Sequence, residues 1–262
     1  MLIDFHTHAF PEKIVDRAIS SLSKTAGGVI PSYDGRVDSL IRMMDKNGVD
    51  KSVVLNIATN VRQMHSVNDF ASSINSDRIV AFGSVHPDAP DVLEELDRIK
   101  SLGLKGIKFH PEYQNFFVDD EKMQPIYEKI SSLNLITVFH SGGDLGYLPP
   151  YHCMPDNALN ALKWFSSPVV FAHWGGYFYS DEVLDKLAGS DAYFDVSYGY
   201  NSVPRPLAQE IVKKHGADKL LFGSDGPWHQ PDKEKLFIES LDLTQEDNEK
   251  IFYKNAQKLL NL

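Results

Sequence analysis

Eight short apolar runs recur along this chain, each followed by a stretch with helical spacing: Leu2–His6, Ser52–Ile57, Ile79–Val85, Gly106–His110, Leu135–His140, Val169–His173, Ala192–Ser197 and Leu220–Ser224. Several are apolar almost without interruption, as in "SVVLNI" and "PVVFAH". A strand with one face in water alternates polar and apolar residues. A continuous run belongs instead to a strand covered on both faces, hence to a parallel sheet flanked by helices. The intervening stretches supply those helices. "DVLEELDRIKSLG" places Val92, Leu93, Leu96 and Ile99 on one face and ends at Gly103, and "RPLAQEIVKKHG" sets Leu207, Ile211 and Val212 before Gly216. Thr244 is a candidate N-cap for the last helix, with Phe252, Ala256 and Leu259 at core spacing. Eight strand–helix units in 262 residues is the count of an α/β protein of the (β/α)8 TIM-barrel type. The competing doubly wound sheet normally carries a glycine-rich phosphate loop after its first strand, where this chain has His6-Thr7-His8. No linker or repeat interrupts the pattern, so residues 1–262 are expected to form one barrel domain.

Composition narrows the partners. The formal net charge is -10 and no Lys/Arg cluster is present, which argues against nucleic acid. No apolar run approaches the length of a membrane span, and strand-like residues begin at Leu2, too early for a leader peptide. A single cysteine, Cys153, excludes an internal disulfide and a cysteine-rich zinc module. The expectation is a cytoplasmic protein that acts on a small molecule, with homo-oligomer formation open.

The chemistry collects at the carboxyl ends of the runs. His6 and His8 stand at i and i+2, so on an extended strand both imidazoles face one direction. "LITVFHSGG" ends in His140, "PVVFAHWGG" in His173 and "KLLFGSDGP" in Asp225, each with glycine close behind. In a barrel those ends form the active-site mouth. A buried imidazole or carboxylate costs several kcal/mol unless it is paired or metal-bound. Four histidines and an aspartate gathered at one rim therefore point to a shared cation. Nitrogen and oxygen donors suit zinc first, with manganese or iron as alternatives, in an open catalytic site.

With "IDFHTH", "GLKGIKFHP", "VFHSG", "FAHWGG", "LLFGSDGP" and "NAQKLLNL" in this order, the chain resembles the amidohydrolase superfamily. More narrowly, it resembles the amidohydrolase-related branch that contains aminocarboxymuconate semialdehyde decarboxylase and the resorcylate decarboxylases. The resemblance implies that His6, His8, His140 and Asp225 hold one divalent ion, with His173 beside it as acid/base. Some relatives hold two ions bridged by a carboxylated lysine or a glutamate on the fourth strand. Here "GIKFHPEY" offers Lys108, His110 and Glu112, and in a two-ion form His140 and His173 would serve the second ion. The leading expectation is a hydrolase. A divalent ion lowers the pKa of bound water from 15.7 to about 7, Asp225 takes its proton, and His173 serves the leaving group. The alternative is non-oxidative decarboxylation of a small aromatic or enoic acid, with His173 or Asp225 protonating carbon. A third reading is a barrel that binds metal without catalysis.

Four further side chains are candidates for contact with the substrate or support of the ion: Lys108, His110, Trp174 and Trp228. Tyr147, Tyr151 and His152, in the loop after the fifth run, either line a pocket or pack that loop. His229 ranks behind these. His65 is expected in solvent and His86 in a loop away from the metal. His215 is expected to complement a helix dipole. Cys153 has no companion base and is set aside as a nucleophile.

Overall fold

The computed structural model describes residues Met1–Leu262 and contains eight parallel strands: β1 (Ile3–Thr7), β2 (Lys51–Leu55), β3 (Ile79–Phe82), β4 (Gly106–Phe109), β5 (Ile136–Phe139), β6 (Val169–Phe171), β7 (Tyr193–Asp195) and β8 (Leu220–Leu221). Six fall inside the apolar runs and two, β1 and β2, overrun theirs by one residue, at Thr7 and Lys51; helices separate them, which gives the (β/α)8 architecture. Continuous ladders join the strands in two arcs, β1-β2-β3 and β4-β5-β6-β7-β8. Neither seam between the arcs carries a ladder. Each is spanned by a single parallel bridge, Gly83 to Ile107 on one side and Thr7 to Gly226 on the other.

Alternation along the strands sorts the core into two layers. Ile3, Phe5, Val53, Leu55, Val80, Phe82, Ile136, Val138, Val170 and Leu221 pack together as an interior layer. Ala256, Leu259 and Leu260 of the last helix join this layer and cover its amino-terminal end. Residues of the opposite parity, such as Val54, Ala81, Ile107, Phe109 and Phe171, meet the surrounding helices in a larger second cluster. Gly106 is required for this arrangement. A Cβ there would stand 2.3 Å from the Phe82 ring and 2.6 Å from the Ile136 carbonyl oxygen.

The helices follow their sequence signals with one difference. The helix Val92–Ser101 buries Leu96 and Ile99 and is followed by Gly103 at φ 76°, but Leu93 points outward at 39 % exposure. Thr244 accepts the Asp247 N–H at 3.1 Å and caps the last helical segment. No helix is long and apolar enough to cross a membrane.

Candidate metal centre

Above the apolar layer the barrel opens into a cavity of about 770 Å³, lined at its floor by His6, His8, Lys108, His110, His140, His173 and Asp225. Regular alternation would set His6 and His8 on the opposite face of β1 from Ile3 and Phe5. The register of β1 against β2 shifts between Asp4 and Thr7. That irregularity lets Ile3 and Phe5 fill the interior layer while His6 and His8 face the cavity above it. His140 follows Val138 by two residues and needs no such device. His173 and Trp174 adopt φ 57° and 59°, and Asp225 adopts φ 61°. Left-handed conformations at three non-glycine residues are uncommon, and backbone strain of this kind concentrates where side chains must be aimed.

Hydrogen bonds assign the tautomers. His8 Nδ1 lies 2.8 Å from the Leu55 carbonyl oxygen and must carry its proton there. His6 Nδ1 lies 2.8 Å from Asp195 Oδ2 and donates to that carboxylate. Both Nε2 atoms then offer lone pairs, and both face Asp225 Oδ1, at 3.2 Å from His6 and 3.0 Å from His8. Three acceptors converge with no proton between them. Either one imidazole is protonated or a cation lies among them. Burial pushes the His6 pKa well below its ordinary value, which disfavours the imidazolium. Donors held about 2.0–2.2 Å from a zinc-sized ion stand roughly 3–3.5 Å from each other. The donor set therefore fits a divalent cation in chemistry and in spacing.

A second focus lies beside the first. His140 Nε2 donates to the Gly143 carbonyl oxygen at 2.9 Å, which leaves Nδ1 as a lone pair 3.1 Å from His173 Nε2. His173 Nδ1 donates to Ser197 Oγ at 2.8 Å, and Ser197 in turn donates to Asp195 Oδ1. His140 also groups with His110 and Asp144, apart from His6, His8 and Asp225. The His110 ring stacks on His140 at 4.1 Å, and His110 Nε2 is 3.4 Å from Asp144 Oδ2. Burial drives the His110 pKa down to about 3. Lys108, two residues earlier on β4, is 1 % exposed, and its Nζ has no hydrogen-bond partner. Burial pulls its pKa down to about 8, against the raising influence of Asp195 and Asp225.

Other candidates are placed differently. Trp228 lines the cavity, but Trp174 does not; it is fully buried behind the barrel wall against Phe237. The left-handed pair at His173 and Trp174 turns one ring inward and the other out. Tyr147, Tyr151 and His152 are absent from the cavity lining, to which their loop contributes Asp144 and Leu145. His229 pairs with buried Glu234 at 2.6 Å, outside that lining. His65 pairs with Asp91 and Glu95 on the surface, His86 is buried away from the site, and Cys153 is fully buried. The dipole role expected for His215 is not what holds it. Its ring stacks on Phe194 at 3.8 Å, Nδ1 accepts the Gly189 N–H, and burial lowers its pKa to about 4, so it is neutral.

Sequence reasoning passed over Asp195 and Ser197, which orient His6 and His173. The available signal was the alternation of Tyr193, Asp195 and Ser197 along "AYFDVS", in step with the interior layer. Asp144, Tyr113, Tyr177 and Tyr198 also line the cavity and carried no comparable signal.

Comparison with known proteins agrees with this architecture. A TIM-barrel protein from Bordetella bronchiseptica is 18% identical with a TM-score of 0.78, over 99% of this chain and 98% of that one. The 5-carboxyvanillate decarboxylase of Sphingomonas paucimobilis is 15% identical with a TM-score of 0.75, over 100% and 99% of the two chains. A dihydroxybenzoic acid decarboxylase from Polaromonas, solved with manganese and the inhibitor 2-nitroresorcinol, is 17% identical with a TM-score of 0.72, over 100% and 97%. At these identities the likeness speaks for the fold. Family membership comes from the sequence profile described as amidohydrolase, which matches residues 3–262. The chain belongs to the amidohydrolase family of metal-dependent enzymes.

Proposed function

We propose that this enzyme is a metal-dependent, non-oxidative decarboxylase of a hydroxylated aromatic acid. The observation that carries the reading is Lys108: an unpartnered ammonium, buried among the metal donors at the floor of a cavity walled by Tyr113, Tyr177, Tyr198 and Trp228. A floor with a divalent ion and a second fixed cation suits an anionic substrate with several oxygens, and the rings suit a planar one. The aromatic-acid decarboxylases named above, one of them with manganese, support the same choice over hydrolysis, the leading expectation from sequence alone.

His6, His8 and Asp225 would hold the ion. His140 faces the other focus, within reach of His173. The ion supplies a Lewis acid for the substrate's oxygens. Lys108 Nζ pairs with a ring oxygen that keeps its negative charge as neutral carbon dioxide departs. Its positive charge also opposes a second ion beside it, which favours a single-ion centre. The bond between ring and carboxyl carbons breaks, and a proton takes up its electron pair at the ring carbon. His173 is the group placed to hold that proton. Burial pushes the His173 pKa well below its ordinary value, and its Nδ1–H, donated to Ser197 and through it to Asp195, offsets part of that cost when the ring holds the proton. The rings of the wall exclude water from the developing carbanion.

The test is carbon dioxide release. Purified protein loaded with zinc or manganese is expected to release one carbon dioxide per acid consumed from a panel of mono- and dihydroxybenzoates. Turnover of lactones, esters or amides with no carbon dioxide from any acid would replace this reading with hydrolysis.

A further inference from the structure

The cavity continues upward well past its polar floor. Its volume of about 770 Å³ is several times that of one hydroxylated benzene ring and lies high in the usual span for ligands of drug size. The upper limb is mainly apolar, with Ala18, Leu22, Val29, Val67, Phe70 and Leu145 among its lining residues beside the polar Ser21, Thr25, Gln63 and Ser66. The helix Val15–Thr25 shows why this surface is available. Of its eleven residues only Val15 is buried, whereas the equally long helix Val37–Asn47 buries Ser39, Leu40, Met43 and Met44. Ala18 and Leu22 face the cavity rather than the core. An apolar helix face without a protein partner, enclosed in a cavity above a catalytic floor, is covered by ligand or by ill-placed water.

Charge at the opening adds a second observation. Lys13 and Arg17 are exposed, line the cavity and form no ion pair, while their acidic neighbours Glu12 and Asp16 are engaged by Arg36. In a chain of net charge -10, two free cations at the opening favour approach of an anion.

We infer that the substrate is an amphiphilic aromatic acid: a hydroxylated, anionic head on the His/Asp/Lys108 floor, and an apolar substituent of several carbons in the limb beneath the helix Val15–Thr25. This rests on the decarboxylase reading for the head and on the limb alone for the tail. A bare hydroxybenzoate would leave the limb unfilled and lose the affinity that its burial supplies.

Isothermal titration of the metal-loaded protein with resorcinol and its 5-methyl, 5-propyl and 5-pentyl derivatives reads the tail without turnover. Affinity is expected to rise about three- to fourfold with each added methylene until the limb is filled. Leu22→Trp, or Ala18→Phe should the first fold poorly, fills the limb with protein and is expected to remove most of that gain. Equal affinity across the series overturns the inference, as does a gain that both variants keep in full. Carbon dioxide release from the matching 6-alkyl-2,4-dihydroxybenzoates separates the two readings. A chain-length gain without carbon dioxide upholds the limb and overturns decarboxylation. Release from the unsubstituted acid without a chain-length gain does the reverse. Failure of every resorcinol to bind overturns the limb, and carbon dioxide release then decides decarboxylation by itself.

Discussion

The two seams of the barrel solve one problem with different chemistry. Between β3 and β4 the link runs through backbone groups and one side-chain amide. Gly83 N–H donates to Gly106 at 2.9 Å and Lys108 N–H to Gly83 at 2.8 Å, and the Asn68 side-chain amide clamps both backbone groups of Ser84. Between β8 and β1 the backbone bonds are as short, His8 N–H to Gly226 at 2.6 Å and Asp225 N–H to His6 at 2.7 Å, but the side chains around them are ionisable. Asp4 takes two bonds from Ser224, and His6 and His8 face Asp225 across the gap. One seam is finished by its own amides. The other presents facing acceptors that a cation would complete. The lesson is that the candidate metal donors sit where β1 and β8 meet, so that closing the barrel and bringing those donors together become one event.

Breaking each seam separately tests that contrast. The largest effect is expected from His6→Ala with His8→Ala: loss of stoichiometric metal, read by elemental analysis, and at least about a thousandfold loss of carbon dioxide release, in line with the several kcal/mol a Lewis-acid ion contributes. Retained metal would place the ion elsewhere. Chelation should come next. Withdrawing an ion present at 100 to 1,000 times its Kd removes about 3–4 kcal/mol of stability. Hydrogen exchange should then quicken at residues 5–8 and 222–226 and stay unchanged around Gly83 and Ile107; equal loosening of both seams would erase the distinction.

Asn68→Ala addresses the seam between β3 and β4. It orphans both Ser84 backbone groups and a bond to buried Glu95, and should cost about 3 kcal/mol in denaturant unfolding while metal content stays intact. The smallest effect lies at neither seam. His215 has its folded pKa lowered to about 4 against 6.5 for the free group. As pH falls from 6.5 towards 4 the unfolded chain takes up a proton that the folded one refuses, so stability drops by ~2–3 kcal/mol. His215→Gln should flatten that part of the stability profile; an unchanged slope would mean that the ring is protonated in place.

How much of this was written in the sequence depends on the distance over which each signal acts. The eight apolar runs and the polar residue that ends several of them are local patterns, and the barrel followed from them. The aim of each side chain was harder to read. His6 and His8 reach the cavity because of a register shift between Asp4 and Thr7 that no residue type advertises. His173 and Trp174 point apart because both adopt left-handed backbone, a conformation imposed by the surrounding fold on residues without a preference for it. Leu93 faces outward although its spacing also fits the buried face. Asp195 was legible in principle, since the alternation of Tyr193, Asp195 and Ser197 is plain once the interior parity of β7 is known.

The last helix has a consequence for biosynthesis. Ala256, Leu259 and Leu260 complete the apolar plug that Ile3 and Phe5 begin, and Ser224 hydrogen-bonds Asp4 across 220 positions. Until β8 and the last helix are made, the first strand has β2 on one side but neither its second neighbour nor its cover. Such long-range closure is slow. The growing polypeptide must therefore carry the open edge and inner face of "LIDF" uncovered until then, and it is there that chaperones would be expected to bind.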